Sequence, residues 1–210
     1  KSLSKFDKSN DDITLGINNN VGADGAQVST KMCAPFLDAM TAGYQYVLED
    51  DIYVDLDSNG KPTVSWNGNV MMVDKRPITD IVVPDNCHPI HYGWRMNWYY
   101  ETPPGYSVLI THPMNRFDLP FLTVAGIIDS DKYTMPGLMP FFLKEGFSGL
   151  IPKGTPYAQI IPIKREDWTS EHIYYTNQEM YDRHVATTDK YRVAYGGIYK
   201  QKTWEKKNYE

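Results

Sequence analysis

The amino-acid sequence predicts a mainly β fold: a distorted antiparallel jelly-roll or β-clip-like barrel with a short helix near its start and a second helix near its end. Three observations carry that expectation. Aromatic residues make up 13% of the 210 positions, with 16 Tyr and 5 Trp, and such side chains fit half-buried pleated surfaces. The 14 Pro and 15 Gly interrupt the chain too often for long helices and suit short strands joined by turns. Between them lie short apolar or alternating runs bounded by turn residues.

Residues 1–29 hold Lys, Ser, Asp, Asn and Gly with few large apolar groups and read as an extended arm or loops. Thr30 can cap a short helix in which Phe36, Leu37 and Met40 share one face, and Gly43 is placed to stop it. Strand signals follow at residues 44–48, 52–54 and 63–66. Asp57-Ser58-Asn59-Gly60 between the last two is a hairpin signature. Further strands are expected at 70–73, 81–83, 95–100, 106–110, 121–128, 139–143 and 158–163. Thr176 with Glu179 forms a capping box, after which Met180, His184, Tyr191 and Tyr195 follow helical spacing up to Gly196-Gly197. The organisation expected is an arm over 1–29, a β-rich core over 30–168, and a C-terminal helix and tail over 169–210 that packs on the core.

A chain of this length can bury roughly 70% of its unfolded surface without metals or disulfides. The net charge is −5, whereas a generic phosphate-backbone binder is usually basic, so general nucleic-acid binding is not expected. No apolar run approaches the roughly 20 residues of a membrane span. The expected setting is therefore the cytoplasm. The chain begins at Lys1 rather than Met and reads as a trimmed segment, which leaves a lost signal peptide open. Two cysteines, Cys33 and Cys87, are fewer than a secreted disulfide scaffold carries. Two free thiols are the first reading and a single disulfide the second.

The histidines are the first candidates for chemistry. His88, His91 and His112 on one barrel wall would suit iron or zinc. However, no His-x-His or His-x-Asp pair places two ligands on one strand face, and His88 and His91 read as loop residues beside Pro89. No bound transition metal or other cofactor is expected, with Mg or Fe as the alternative. Asp55, Asp57 and Asn59 match the first half of a calcium loop, but Trp66 stands where its closing Glu belongs, and a tight Asn-Gly turn explains the segment as well. Trp94, Trp98, Tyr99, Tyr100 and Tyr106 can stack a sugar or a base, or simply pack a sheet. Polar turns at 102–116 and 126–131 are expected to line the main concave site. Its groups would be Arg116, Asn115, Asp129, Asp131 and Tyr106. The competing reading pairs Arg116 with Asp118, Asp129 or Asp131 to satisfy charge.

Two segments resemble a known superfamily. Val124-Ala-Gly-Ile-Ile-Asp-Ser-Asp131 and Ile151-Pro-Lys-Gly-Thr-Pro-Tyr-Ala-Gln-Ile-Ile161 are similar to the Ala-Gly-Val-Ile-Asp and Lys-Gly-Asp-Arg-Ile-Ala-Gln segments of the dUTPase and dCTP-deaminase proteins. That resemblance implies a β-clip, usually trimeric, with Mg²⁺-dependent nucleotide hydrolysis in its dUTPase members. Asp129 would then match the family's water-activating aspartate and Gln159 a residue of its late strand. The chain departs from the pattern where Pro113-Met-Asn-Arg116 replaces Pro-Arg-Ser-Gly and Lys132-Tyr-Thr134 replaces Tyr-Arg-Gly. A turn-capping Asp129 is the preferred reading.

A second resemblance spans more of the chain. Cys33-Ala-Pro-Phe-Leu-Asp-Ala-Met-Thr-Ala-Gly-Tyr44, Thr102-Pro-Pro-Gly-Tyr-Ser-Val-Leu109, His112-Pro-Met-Asn-Arg116, Gly126-Ile-Ile-Asp-Ser-Asp131 and Gly154-Thr-Pro-Tyr-Ala-Gln-Ile-Ile-Pro162 resemble a domain family of unassigned function from bacteria and tailed phages of marine bacteria. It implies a phage or marine microbial source, and with no activity assigned to the family no catalytic residue is carried over. Two functions are expected from these readings together. The first is a non-catalytic small-ligand-binding or assembly protein, virion-associated or not, whose partner is a small-molecule ligand or further copies of itself in a homo-oligomer. The second is an enzyme on a β-barrel scaffold, cupin-like and metal-dependent or dUTPase-like.

Overall fold

The fold follows from where glycine and proline break the apolar runs. Helix α1 (Ala34–Thr41) buries Met40 and half-buries Phe36 and Leu37. It stops at Gly43, whose φ of +65° is the left-handed conformation that glycine adopts without steric cost. The strands then come in order: β1 (Tyr44–Val47), β2 (Ile52–Leu56), β3 (Pro62–Trp66), β4 (Val73–Lys75), β5 (Cys87–Arg95), β6 (Tyr106–Thr111), β7 (Phe121–Thr123), β8 (Gly126–Ile128), β9 (Leu138–Lys144), β10 (Gly149–Ile151) and β11 (Pro156–Lys164). Helix α2 (Asn177–Tyr191) follows them. This computed structural model describes residues 34–76, 81–134, 137–191 and 203–209. The 1–29 arm, the Thr30 cap, Cys33 and the Tyr195 to Gly197 helix end expected from the sequence lie outside them.

The protein is mainly β, as the sequence predicts, and its described strands form three antiparallel sheets. One runs β1-β11-β6-β8, one β10-β2-β3, and one β4-β5-β9-β7. The sheets do not close into a barrel, which corrects the barrel expectation. Each sheet of the described residues keeps two terminal strands, so the curvature that joins the last strand to the first is missing.

One apolar core draws on all three sheets, with Ile52 and Ile151 from one, Ile110 and Ile160 from the second, and Trp94 and Phe141 from the third. Trp94 lies at its centre, 1% exposed. Its ring stacks on Phe141 with centroids 3.6 Å apart and 9° between planes, and Phe121 meets it edge-on at 5.0 Å. The indole N–H donates to Thr123 Oγ1 at 3.1 Å, and that hydroxyl donates to the Tyr157 carbonyl at 2.6 Å. The Trp94 and Thr123 side chains are thus both satisfied where the sheets meet.

The hairpin between β2 and β3 forms as expected. Asp57 Oδ1 accepts the N–H groups of Asn59 and Lys61 at 2.8 and 2.9 Å, and Gly60 takes φ +75°. Those bonds hold the Asp57 carboxyl below its usual range and make the segment a turn in which this oxygen is already used.

Other expectations need correction. Residues 81–83 form no strand. Pro84 follows at once and Val82 is 92% exposed, so the run has no sheet face to bury. The strand expected at 95–100 lies upstream as β5, and the chain leaves the sheet after Arg95. Residues 121–128 split into β7 and β8, which join different sheets.

Contacts divide the chain into two compact units, Pro35–Ser170 with Lys207–Glu210, and Lys1–Ala34 with Glu171–Lys206. In the first unit, Lys207 pairs with Asp38 at 3.0 Å and the Tyr209 ring meets Tyr44 edge-on. In the second, Glu179 accepts both the N–H and the hydroxyl of Thr176, and the Glu179 N–H donates back to Thr176 Oγ1, which is the capping box read from the sequence. Every described side chain of α2 from Asn177 to Ala186 is exposed.

Candidate functional site

The groups expected to share one site occupy two places, at opposite ends of β6. At its start, Pro103-Pro104-Gly105 turns the chain with Gly105 at φ +87°. The Gly105 N–H donates to Asp131 Oδ2 at 2.8 Å, and the Gly105 carbonyl accepts from the Arg165 backbone N–H at 2.8 Å. Arg165, the residue after β11, grips Asp131 with both terminal nitrogens. Its Nη1 also reaches the Tyr106 carbonyl at 2.8 Å, Ser107 Oγ at 2.9 Å and Asp129 Oδ1 at 3.3 Å. The Ser107 hydroxyl donates to Asp129 Oδ1 at 2.7 Å. Thr102 Oγ1 donates to the Tyr106 carbonyl, so its 2.7 Å bond with Ser130 runs from the serine hydroxyl.

This network ties the ends of β6, β8 and β11 together. Asp129 closes the turn after β8 through its backbone carbonyl, which accepts the N–H groups of Lys132 and Tyr133, while its side chain serves Ser107 and Arg165. Tyr106 contributes its carbonyl. The Asp131 side chain is only 6% exposed, and the Arg165 guanidinium followed by the Gly105 N–H holds its carboxyl down to about 2 from 3.8. A folded-state value below the unfolded one means the stability it confers is complete above about pH 4 and is lost as pH falls toward 2. Arg165→Gln is therefore expected to lower the melting temperature at pH 7, with the gap to the parent narrowing from pH 4 to 2. Thermal melts across that range check it, and a gap that does not change with pH would refute the assignment.

At the other end of β6, Asn115 takes φ +62° in the loop that leads to Arg116. Arg116 binds Asp118 through Nε at 2.8 Å and Nη2 at 2.7 Å. This bidentate pair raises the arginine and lowers the aspartate from their ordinary values, with burial opposing both. Beside it lies a groove of about 420 Å³ lined by Arg116, residues 118–120 and residues 150–156. Its floor is the turn between β10 and β11. The Lys153 N–H donates to Asp51 Oδ1 at 2.7 Å and the Gly154 N–H to the Leu48 carbonyl at 2.8 Å, so the turn is fixed. The Lys153 side chain makes no ion pair with any described residue.

Gln159, buried completely, anchors this end. Its Oε1 accepts the Met114 N–H at 2.9 Å, and its Nε2 donates to the Ala39 and Ala42 carbonyls at 2.8 and 2.7 Å. It joins α1, the 112–116 loop and β11.

The three histidines do not come together, and among the described residues no three His, Cys, Asp or Glu side chains form a metal-holding group. His88 and His91 lie on β5 rather than in a loop, because a register shift between Cys87 and His91 lets the strand absorb Pro89. His88 Nδ1 accepts the Ile90 N–H at 3.1 Å. His91 is buried against Phe142 with ring centroids 5.6 Å apart. His112 Nδ1 accepts the Thr123 N–H, so Nε2 carries the proton donated to the Arg116 carbonyl at 3.0 Å. Burial pushes this histidine below its ordinary value. The Cys87 thiol is free, and burial pushes it up.

The aromatic cluster also divides. Trp94 is core, whereas Trp98 and Tyr99 are 62% and 71% exposed, and the Trp98 N–H donates to Glu49 at 2.8 Å.

Arg165, Lys153 and Trp168 were not singled out from the sequence. Arg165 lies 34 positions after Asp131, and only the pairing of Lys164 with Tyr106 brings them together. Trp168 stands alone among the charges of residues 164–171, where no periodicity marks it.

Among the described residues no helix is long and apolar enough to cross a membrane. Comparison of the sequence with models of known protein families and with curated proteins finds no match.

Proposed function

We propose that this chain is a non-catalytic assembly protein whose subunits join through the segment that leaves β11. One observation carries the reading. Residues 165–176 have no regular structure, and Trp168, Ile173 and Tyr174 on them are 86%, 59% and 91% exposed. From 166 to 175 the backbone makes no hydrogen bond with any other described residue. Large aromatic side chains gain most from leaving water, and an apolar stretch left in solvent marks an interaction surface.

The chemistry of the polar cluster supports the same reading. Arg165 and the Gly105 N–H occupy both carboxylate oxygens of Asp131, and Ser107 and Arg165 both bind Oδ1 of Asp129, so the two aspartates serve to tie strand ends together. A cofactor has no part in this function. The virion-associated form of the reading rests on the resemblance to phage proteins alone. The full chain is expected to self-associate in sedimentation experiments, with mass rising with concentration, and replacing Trp168, Ile173 and Tyr174 by Ser is expected to shift it toward monomer. A parent chain that stays monomeric throughout would remove the proposal.

A further inference from the structure

We infer that the 420 Å³ groove beside Arg116 and Lys153 is the receptor for the acidic-aromatic segment Glu166-Asp167-Trp168 of a second copy of this chain. The inference rests on the assembly reading and names the partner surface.

The first argument is reach. The groove lies where β11 begins, at Thr155 and Pro156, and the segment leaves where β11 ends, at Lys164. A nine-residue strand spans about 25–30 Å. Trp168 is four residues beyond Lys164, which extends at most about 14 Å. Its own groove is out of reach, whereas the groove of another copy is open to it.

Shape and chemistry agree. Leu150, Pro120 and Pro156 give the groove apolar walls. Its volume is at the small end of the roughly 300–1,000 Å³ of ligand pockets, which suits a single anchoring side chain. Leu150 is 49% exposed and stands on β10, a terminal strand of its sheet. Tryptophan seated in a pocket is the commonest kind of interface anchor.

Charge agrees as well. Among the lining residues Asp118 neutralises Arg116 and Lys153 adds one positive charge, over the Asp51 carboxylate that accepts its backbone N–H, whereas the segment carries Glu166 and Asp167, with Glu171 following. Glu166 is held by Lys164 at 2.5 Å, but both side chains are about half exposed, and such a pair exchanges partners at little cost. Because groove and segment lie at opposite ends of β11, the joint forms either by mutual exchange within a two-fold pair or head to tail along a ring or filament.

The test uses full-length chains in sedimentation velocity. Trp168→Ala is expected to weaken self-association about 30-fold or more, and Lys153→Glu is expected to weaken it too. Combining Lys153→Glu with Asp167→Lys restores it, which a mere loss of folding would not allow. Mixing Trp168→Ala with Lys153→Glu subunits restores one joint and gives a mixed dimer, although each alone is monomeric. If the parent associates and neither single variant weakens it, or if the charge exchange fails to restore it, the groove assignment falls while the assembly reading stands. If the parent is monomeric at every concentration, both fall.

Discussion

Trp94→Ala is expected to cost about 3–5 kcal/mol of folding stability. The ring is 1% exposed, stacked on Phe141 and flanked by Phe121 and Tyr157. These neighbours belong to β9, β7 and β11, so the cavity opens where two sheets meet and no single strand can shift to fill it. Removing the indole also takes one donor from Thr123, whose hydroxyl keeps its bond to the Tyr157 carbonyl. That part of the loss is therefore small. Trp94→Phe keeps most of the stacked area and is expected to cost clearly less. Denaturant midpoints for the two variants check the ordering, and a loss below about 1 kcal/mol for Trp94→Ala would mean the core is not built around this ring.

The second large effect is expected at Gly43. A Cβ there would lie 1.9 Å from the Ile160 carbonyl oxygen, and the backbone stands at φ +65°. The left-handed conformation alone costs an alanine roughly 1–2 kcal/mol, and overpacking against backbone adds about 1–3 kcal/mol. The obstacle is a carbonyl of β11 directly across from Tyr44, so relief requires β1 to part from β11. Gly60 provides the control. Its φ is +75°, yet a Cβ there would meet nothing within 4 Å, so Gly60→Ala is expected to carry the conformational cost alone. Thermal melts of both variants check the difference, and equal losses would show that the approach to Ile160 is unimportant.

Legibility in the sequence varied with how local the controlling forces are. The β2–β3 hairpin, the α1 stop at Gly43 and the Thr176–Glu179 capping box are set by residues within four positions of one another, and each appears where the sequence puts it. β5 was misplaced because Pro89 made the segment around His88 and His91 read as a loop. In the structure a bulge takes up Pro89, and Gly93 makes room for Leu138 at 3.2 Å from where its Cβ would be. β7 and β8 read as one strand because nothing within 121–128 signals the change of sheet. The polar residues of the candidate site were visible as polar turns, but their sorting was not. Arg116 met Asp118, two positions away, while Asp129 and Asp131 met an arginine that only the β6–β11 register delivers. Separation into two ends of one strand is a property of the sheet and has no local trace.

The place of β11 bears on how the chain is made. It is the last strand among the described residues, yet it stands between β1 and β6 and pairs with both. A nascent chain that has reached only Thr155 holds β1 and β6 with no strand between them, and it lacks Tyr157, Ala158 and Ile160 of the core. The sheet β1-β11-β6-β8 therefore closes late in synthesis, by a pairing that joins residue 44 to residue 160. Pairings of such wide separation are slow to form, and until they do the waiting strands offer bare edges to any neighbouring chain. The chain thus emerges from the ribosome with the edges of β1 and β6 open before its fold is complete.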